Sequence, residues 1–157
     1  MLEKMKMIWQ DAKQLKDERG LTLVELLVVV VILGIIAAIA VVAIGGIIEN
    51  SKKDAMVADA KQMVSAAKLY TASNPVSAET TMKFSGSTGT VDGTQYIDNL
   101  KDPFTDDSTY TSAYVTIKPA ANGKYTYGVN VVGDKFTMAA DSESALKKAT
   151  LTETKKP

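Results

Sequence analysis

An apolar stretch near the start of the chain constrains its fold more than any other feature. Residues 21–48 read LTLVELLVVVVILGIIAAIAVVAIGGII, and no charged side chain occurs between Glu25 and Glu49. A bilayer core of roughly 30 Å is crossed by about 20 apolar residues in a helix. Because hydrocarbon offers no hydrogen-bond partners, a lone span must pair its backbone groups internally, which favours a helix despite the β-branched residues at 28–32. The stretch is therefore predicted to be a membrane-spanning helix.

Glu25 interrupts this apolar pattern. Placing a carboxylate at the centre of a membrane helix costs about 2.5–3.5 kcal/mol on insertion scales, and less near an interface. One interpretation is a glutamate that reaches the headgroups from the first turn of the helix. The other is a buried carboxylate that needs a cationic partner.

The residues around Glu25 form a recognisable motif. Arg19-Gly20 directly precedes Leu21-Thr22-Leu23-Val24-Glu25, and small residues follow at Gly34, Ala37, Ala38 and Ala40. This pattern resembles the N-terminal signature of type IV pilins and pseudopilins. The resemblance implies cleavage after Gly20, N-methylation of the new terminal residue Leu21, and a role in assembly for Glu25, Gly34, Ala37 and Ala38. It is close over residues 21–48 and loose over the later part of the chain.

The chemistry of the motif can also be argued from its residues. Gly20 lets a protease approach the backbone because it has no side chain. Cleavage would free an α-amino group at Leu21, whose unperturbed pKa is about 7.7–8.0, so that it can carry positive charge. A buried charge that loses its partner is destabilised by about 3–5 kcal/mol. We hypothesise that Glu25 pairs with the Leu21 amine of a neighbouring subunit and so sets the register between subunits.

The overall composition argues against several classes of function. The 157 residues contain 18 basic and 18 acidic side chains, so the chain lacks the basic excess that is typical of nucleic-acid surfaces. It has no cysteine for disulfide or thiol chemistry and no histidine, the commonest general base and metal ligand. The sequence predicts a protein that is not an enzyme and makes no direct contact with nucleic acid.

Residues 1–20 are interpreted as a leader that is removed before function. Met5, Ile8, Ala12 and Leu15 recur at helical spacing, so the leader could form an amphipathic helix at the cytoplasmic surface. An ordinary secretory signal peptide, cut near Ala38-Ile39-Ala40, is the first alternative, but its apolar core would span only about 7–15 residues. A plain single-pass anchor is the second alternative. The pilin resemblance implies a cytoplasmic N-terminus and a globular part outside.

The helix is predicted to continue beyond the membrane to residue 73, where Asn74-Pro75 marks its end. The residues Met56, Ala60, Met63, Ala67 and Tyr70 form an apolar stripe that can dock on a small domain. Many pilins carry a proline where this chain has Val42. The sequence is equally compatible with a bend at Gly45-Gly46 and with a continuous helix.

The remaining residues indicate a small sheet. Residues 74–111 are loop-rich with a short strand at 80–84, and three strands at 114–118, 124–131 and 135–139 form an antiparallel meander. The face expected to pack on the helix contains Tyr125, Tyr127, Val129, Val131, Phe136 and Met138. Residues 141–157 are predicted to be a short helix or a frayed tail. The predicted class is α+β: a long N-terminal helix, with its first half transmembrane, packed on an antiparallel sheet of about three to four strands.

One acidic loop suggests a cation site. Asp102, Asp106 and Asp107 lie in the sequence DPFTDDS, and calcium is bound by several oxygens in flexible loops. The loop also resembles the Asp-Pro-aromatic loop of major secretion pseudopilins, some of which hold calcium. The alternative is a solvated acidic turn in which Asp102 fixes the loop. Calcium is the only cofactor that the sequence suggests.

The chain is thus divided into a leader at 1–20, a membrane and filament-core half-helix at 21–48, an amphipathic half-helix at 49–73 and a globular part at 74–157. The resemblance implies a homopolymer as the mature form. It also implies a prepilin peptidase/N-methyltransferase, an assembly platform and minor pilins as partners. The precursor would be stored in the inner or cytoplasmic membrane and then enter an extracellular or cell-envelope filament. Pilus, competence and secretion roles stay open, and the alternative function is a monomeric, membrane-anchored, extracytoplasmic binding module.

Overall fold

A computed structural model describes residues 1–86, 88–98, 100–106 and 108–155, and it leaves the side chains of residues 14–21 undescribed. The chain divides into two compact units, Met1–Ile47 and Ile48–Pro157. One helix, α1 (Leu2–Ser73), accounts for the first unit and begins the second. Each unit is described by itself below.

The first unit is helical, and its apolar side chains are uncovered. The predicted helix over residues 21–48 is confirmed, and the helix passes Gly45-Gly46 without interruption. Its large apolar side chains between Leu23 and Ile47 are exposed. In the described part of the chain, one helix, Thr22–Ser73, is long and apolar enough to cross a membrane by length and composition.

The second unit combines the end of α1 with a six-stranded mixed sheet. The helix ends at Ser73, as Asn74-Pro75 predicted. The strands are β1 (Thr80–Ser85), β2 (Val91–Asp92), β3 (Ser112–Pro119), β4 (Tyr125–Val132), β5 (Phe136–Ala140) and β6 (Leu151–Glu153). Their order in the sheet is β2-β1-β3-β4-β5-β6, and β1 and β2 are parallel while the other neighbours are antiparallel.

The core of this unit lies between α1 and one face of the sheet. On the helix, Met56, Ala60, Met63 and Ala67 are fully buried and Tyr70 is partly buried, which confirms the predicted stripe. Alternate residues of the strands face them because successive side chains of a strand point to opposite faces. The predicted inward residues of β4 and β5 are buried, apart from Tyr125, which is partly buried.

Two core tyrosines also tie the helix end to the sheet. The Tyr127 hydroxyl lies 2.8 Å from the Thr71 hydroxyl, and the Tyr125 hydroxyl accepts a hydrogen bond from the backbone N–H of Val76 at 3.0 Å. The tyrosines of β4 therefore belong to the face that packs on the helix, as the sequence predicts.

The α+β class is confirmed, but the sheet is larger than the predicted three to four strands and is not wholly antiparallel. Residues 91–92 form the parallel edge strand β2 within the stretch 74–111 that the sequence predicts to be loop-rich apart from residues 80–84. Residues 141–157 were predicted to be a short helix or a frayed tail, whereas they contain two 3-10 turns, Glu143–Ala145 and Lys148–Thr150, and the strand β6. Both missed strands have three residues or fewer and form by pairing with an open sheet edge, so they have no pattern of their own.

Candidate processing and assembly site

The residues of the predicted cleavage and assembly motif all lie on α1. Gly20 and Leu21 belong to the helix, but their side chains lie outside the described residues. Glu25 follows Leu21 by one helical turn, so the two positions are neighbours on the helix surface. The Glu25 side chain is exposed, and among the described residues it has no ion-pair partner.

The small residues of the motif form an open face. Gly34, Ala37 and Ala38 are spaced by three and four residues and therefore share one side of the helix. All three are exposed, and a Cβ placed on Gly34 would meet no atom within 4 Å. Small residues allow the backbones of packed membrane helices to approach closely. The structure places these residues where a second helix could reach them.

The acidic loop is held by Asp102. Its Oδ1 accepts the backbone N–H of Phe104 at 2.9 Å, and its Oδ2 accepts that of Asp134 at 2.6 Å. Asp102 is 3 % exposed, which is compatible with this loop-fixing role. Gly133 lies so close that an added Cβ would be 2.8 Å from Asp102 Oδ2.

Two of the three predicted calcium ligands, Asp102 and Asp106, lie within the described residues. Asp106 is exposed, and Asp107 lies outside the described residues. In the described ranges, no group of three or more acidic side chains is arranged to hold a metal ion. Both oxygens of Asp102 already accept backbone hydrogen bonds, and calcium binding stays a prediction.

A half-buried carboxylate on α1 was missed by the sequence interpretation. Tyr110 is 1 % exposed, and its hydroxyl donates a 2.7 Å hydrogen bond to Asp59 Oδ2. Burial raises the pKa of Asp59; the Tyr110 hydrogen bond opposes this effect, and the charge of Asp102 adds to it. Burial, followed by the contact with Asp59, raises the pKa of Tyr110. No sequence motif links these positions, because they are brought together only by packing.

A charged and aromatic cluster begins directly after the apolar stretch. Glu49 pairs with Lys135 at 2.7 Å and with Lys53 at 2.9 Å, and these hydrogen-bonded lysines lower the pKa of Glu49 to about 2. The Lys53 ammonium also lies 4.4 Å from the centroid of the Phe136 ring. The cluster connects the helix just past residue 48 to the start of β5.

Comparison with known proteins identifies the class of the N-terminal segment. The protein-family model described as the prokaryotic N-terminal methylation motif matches residues 15–41. The chain therefore carries the signature of type IV pilin precursors, and the matched stretch contains every motif residue from Gly20 to Ala38. Neither the curated proteins nor the solved structures give a match to this chain.

This signature supports a type IV pilin-like or pseudopilin precursor. It marks a class of structural proteins that are not known as enzymes, and it implies in general terms subunit assembly and processing by a prepilin peptidase. Together with the N-terminal apolar helix, it fits a membrane-anchored precursor.

Proposed function

We propose that this protein is a structural subunit of a type IV pilus, a competence pilus or a type II secretion pseudopilus, and that it polymerises through residues 21–48 of α1. The coincidence of the methylation motif at 15–41 with a long apolar helix whose side chains are uncovered carries the proposal. A membrane shelters this surface in the precursor, and copies of the same helix shelter it in the filament.

Processing precedes assembly in this proposal. A prepilin peptidase removes residues 1–20 by cutting after Gly20, and the exposed amine of Leu21 is methylated. Methylation leaves the nitrogen basic, so the terminus keeps its positive charge. The mature chain then begins with a cation located one helical turn before Glu25.

Glu25 and the terminal amine form a pair between neighbouring copies. Burial of a lone carboxylate in an apolar bundle is unfavourable, and pairing with a cation offsets that penalty. The small face at Gly34, Ala37 and Ala38 allows close packing of the helices on which this pair depends. The pair fixes the axial register of one copy on the next.

Replacing Glu25 by alanine tests the pairing. Glu25→Ala removes the carboxylate from the apolar stretch, so the precursor is expected to insert and to be cleaved. It then leaves the neighbour's amine buried without a partner, at a cost of about 3–5 kcal/mol per contact, and filament yield falls sharply. Filaments sheared from cells and cleaved subunit retained in membranes are quantified by immunoblot.

Glu79→Ala is the matched control, because it removes a glutamate outside the apolar stretch whose 3.9 Å pair with Lys118 is exposed and contributes little to stability. It is expected to leave filament yield near the wild-type level. Normal filaments from Glu25→Ala would refute the pairing. Absence of filaments from the wild-type chain in its native host would favour the alternative, a monomeric membrane-anchored binding module.

A further inference from the structure

The second unit has an apolar groove that its own core does not fill. Past Ile48, only two large apolar side chains among the described residues are exposed: Leu69, at 58 %, and Tyr96, at 37 %. Both line one groove of about 330 Å³, whose other lining residues are Gln62, Ser65, Ala66 and Ile97. The convergence of the two exposed residues on one groove distinguishes it from scattered surface apolar residues.

The residues that line the groove are held in place by contacts within the second unit. Tyr96 rests edge-on against Tyr70, with ring centroids 6.4 Å apart, and its backbone N–H donates to Gly93 O at 3.0 Å. Leu69 projects from the opposite side of α1 to the buried stripe that includes Met63 and Ala67. The groove therefore has a helix wall and a loop wall.

The groove contains no charged lining residue. Leu69 follows Ser65, Gln62, Ala58, Ala55 and Ser51 along α1 at alternating spacings of four and three residues, and all six side chains are exposed. In the sequence the same alternation extends back to Ile48 and Ile44, which belong to the apolar stretch. An uncharged stripe thus continues from the stretch through which the chain is proposed to polymerise.

We propose that this groove, defined by Leu69 and Tyr96, binds the helix α1 of a second copy of this chain. The proposal rests on the proposed function, because the filament supplies the neighbouring copy. The exposed leucine and tyrosine of this uncharged groove favour an apolar occupant, because a charged group would lose hydration there without gaining an ion-pair partner. Among the described residues after residue 20, every large exposed apolar side chain other than Leu69 and Tyr96 lies in 21–48. This stretch is therefore the extended apolar surface that a second copy can offer.

Adding a charge to the groove is the first test. Leu69→Glu places a carboxylate in the contact, and filaments are expected to be lost while the precursor is still inserted and cleaved. Leu69 is largely exposed in the single chain, so the melting temperature of the second unit is expected to change little. Ala139→Glu, which adds the same charge at an exposed position of β5 outside the groove, is the matched control and should assemble normally.

A photoreactive residue identifies the occupant directly. Tyr96 is replaced by p-benzoylphenylalanine in the full chain, and cells that produce filaments are irradiated. We expect an adduct of twice the subunit mass, in which the crosslinked peptide comes from α1 of a second copy. The same substitution at Tyr114, on the outer face of the sheet, should not give that adduct.

The outcomes separate this contact from the proposed function. Wild-type filaments together with normal assembly of Leu69→Glu, or an adduct of Tyr96 with another protein, would overturn the groove as a contact between copies. Filaments without any Tyr96 adduct would overturn it as well. Failure of the wild-type chain to form filaments would instead contradict the proposed function itself.

Discussion

Asp59 is a single residue whose charge is disfavoured by the folded structure. Burial raises the pKa of its carboxyl, while its only described hydrogen-bond donor is the Tyr110 hydroxyl at 2.7 Å. A carboxyl with a raised pKa in the folded state contributes stability below its unfolded pKa of about 3.9. That contribution is lost as the pH rises through the raised folded value.

Asp59→Asn is therefore expected to raise the melting temperature at neutral pH. The amide oxygen still accepts the Tyr110 hydroxyl, and the partly buried charge is gone. The gain over wild type should shrink as the pH falls toward 4, because the wild-type carboxyl becomes neutral. All six tyrosines lie in the second unit, so near-ultraviolet circular dichroism of the full chain in detergent follows its unfolding.

Tyr110→Phe is the companion variant, with the opposite expected sign. It removes the donor and leaves the carboxylate less well satisfied, which should destabilise the protein by about 1–3 kcal/mol at neutral pH. A neutral-pH melting temperature of Asp59→Asn below that of wild type would contradict the assignment of the Asp59 charge as unfavourable.

Asp102 offers a second test at the residue scale. If the 102–107 loop binds calcium, millimolar calcium should raise the melting temperature, and Asp106→Asn should reduce that shift. If Asp102 serves only to fix the loop, calcium should have no effect. In either case Asp102→Asn should destabilise the second unit by about 1.5–3 kcal/mol, because charge-assisted bonds to two backbone N–H groups are weakened.

At the scale of elements, α1 has a buried and an exposed side within the second unit. Met63 is fully buried against the sheet, whereas Leu69 is largely exposed. Met63→Ala is expected to destabilise the unit by about 2–5 kcal/mol, because a cavity replaces the side chain. Leu69→Ala on the other side should change the free energy of unfolding by no more than about 0.5 kcal/mol.

Chemical denaturation of both variants measures this difference. A large destabilisation by Leu69→Ala would mean that the groove residue supports the fold, and filament loss in Leu69→Glu could no longer be assigned to a contact between copies. Equal and small effects of the two variants would contradict the described packing of α1 on the sheet.

The ion pairs of Glu49 with Lys53 and Lys135 link α1 to the start of β5. The pKa of Glu49 is lowered to about 2, so its contribution to stability is present above its unfolded pKa of about 4.3 and is lost as the pH falls toward 2. Glu49→Gln should therefore lower the melting temperature at neutral pH, and the difference from wild type should vanish near pH 2.

Glu79→Gln is the matched control for Glu49. Lys118 Nζ lies 3.9 Å from Glu79 Oε2, and both side chains are exposed. Such surface ion pairs contribute little to the free energy of unfolding. Its melting temperature should stay near the wild-type value across the same pH range. A Glu49→Gln curve parallel to wild type at every pH would show that the cluster does not couple helix and sheet.

The elements that the sequence predicted are those with a repeating pattern. The stripe Met56, Ala60 and Met63 predicts the buried side of α1, and the alternation in β4 predicts its inward face. The short strands β2 and β6 have no such pattern because the edges of β1 and β5 induce them. The same limit applies to Asp59 and Tyr110, and to Leu69 and Tyr96, which are far apart in sequence and meet only in the folded unit.

At the scale of the whole molecule, the two units differ in whether their apolar side chains are exposed or buried. Residues 26–48 carry no charge and expose apolar side chains, whereas the buried residues of the core all lie in the second unit. The motif at 15–41 was identifiable in the sequence because its chemistry is local to a few adjacent residues. The contacts proposed between copies have no such local pattern, since a single chain holds only one side of each contact.

The mature N-terminus tests the central claim most directly. Protein is isolated from native membranes and from sheared filaments, and its N-terminal peptide is sequenced by mass spectrometry. The proposed function predicts a chain that begins at Leu21 with a methylated amine in the filament fraction. A chain that still begins at Met1, or one that is cut near Ala40, would contradict it.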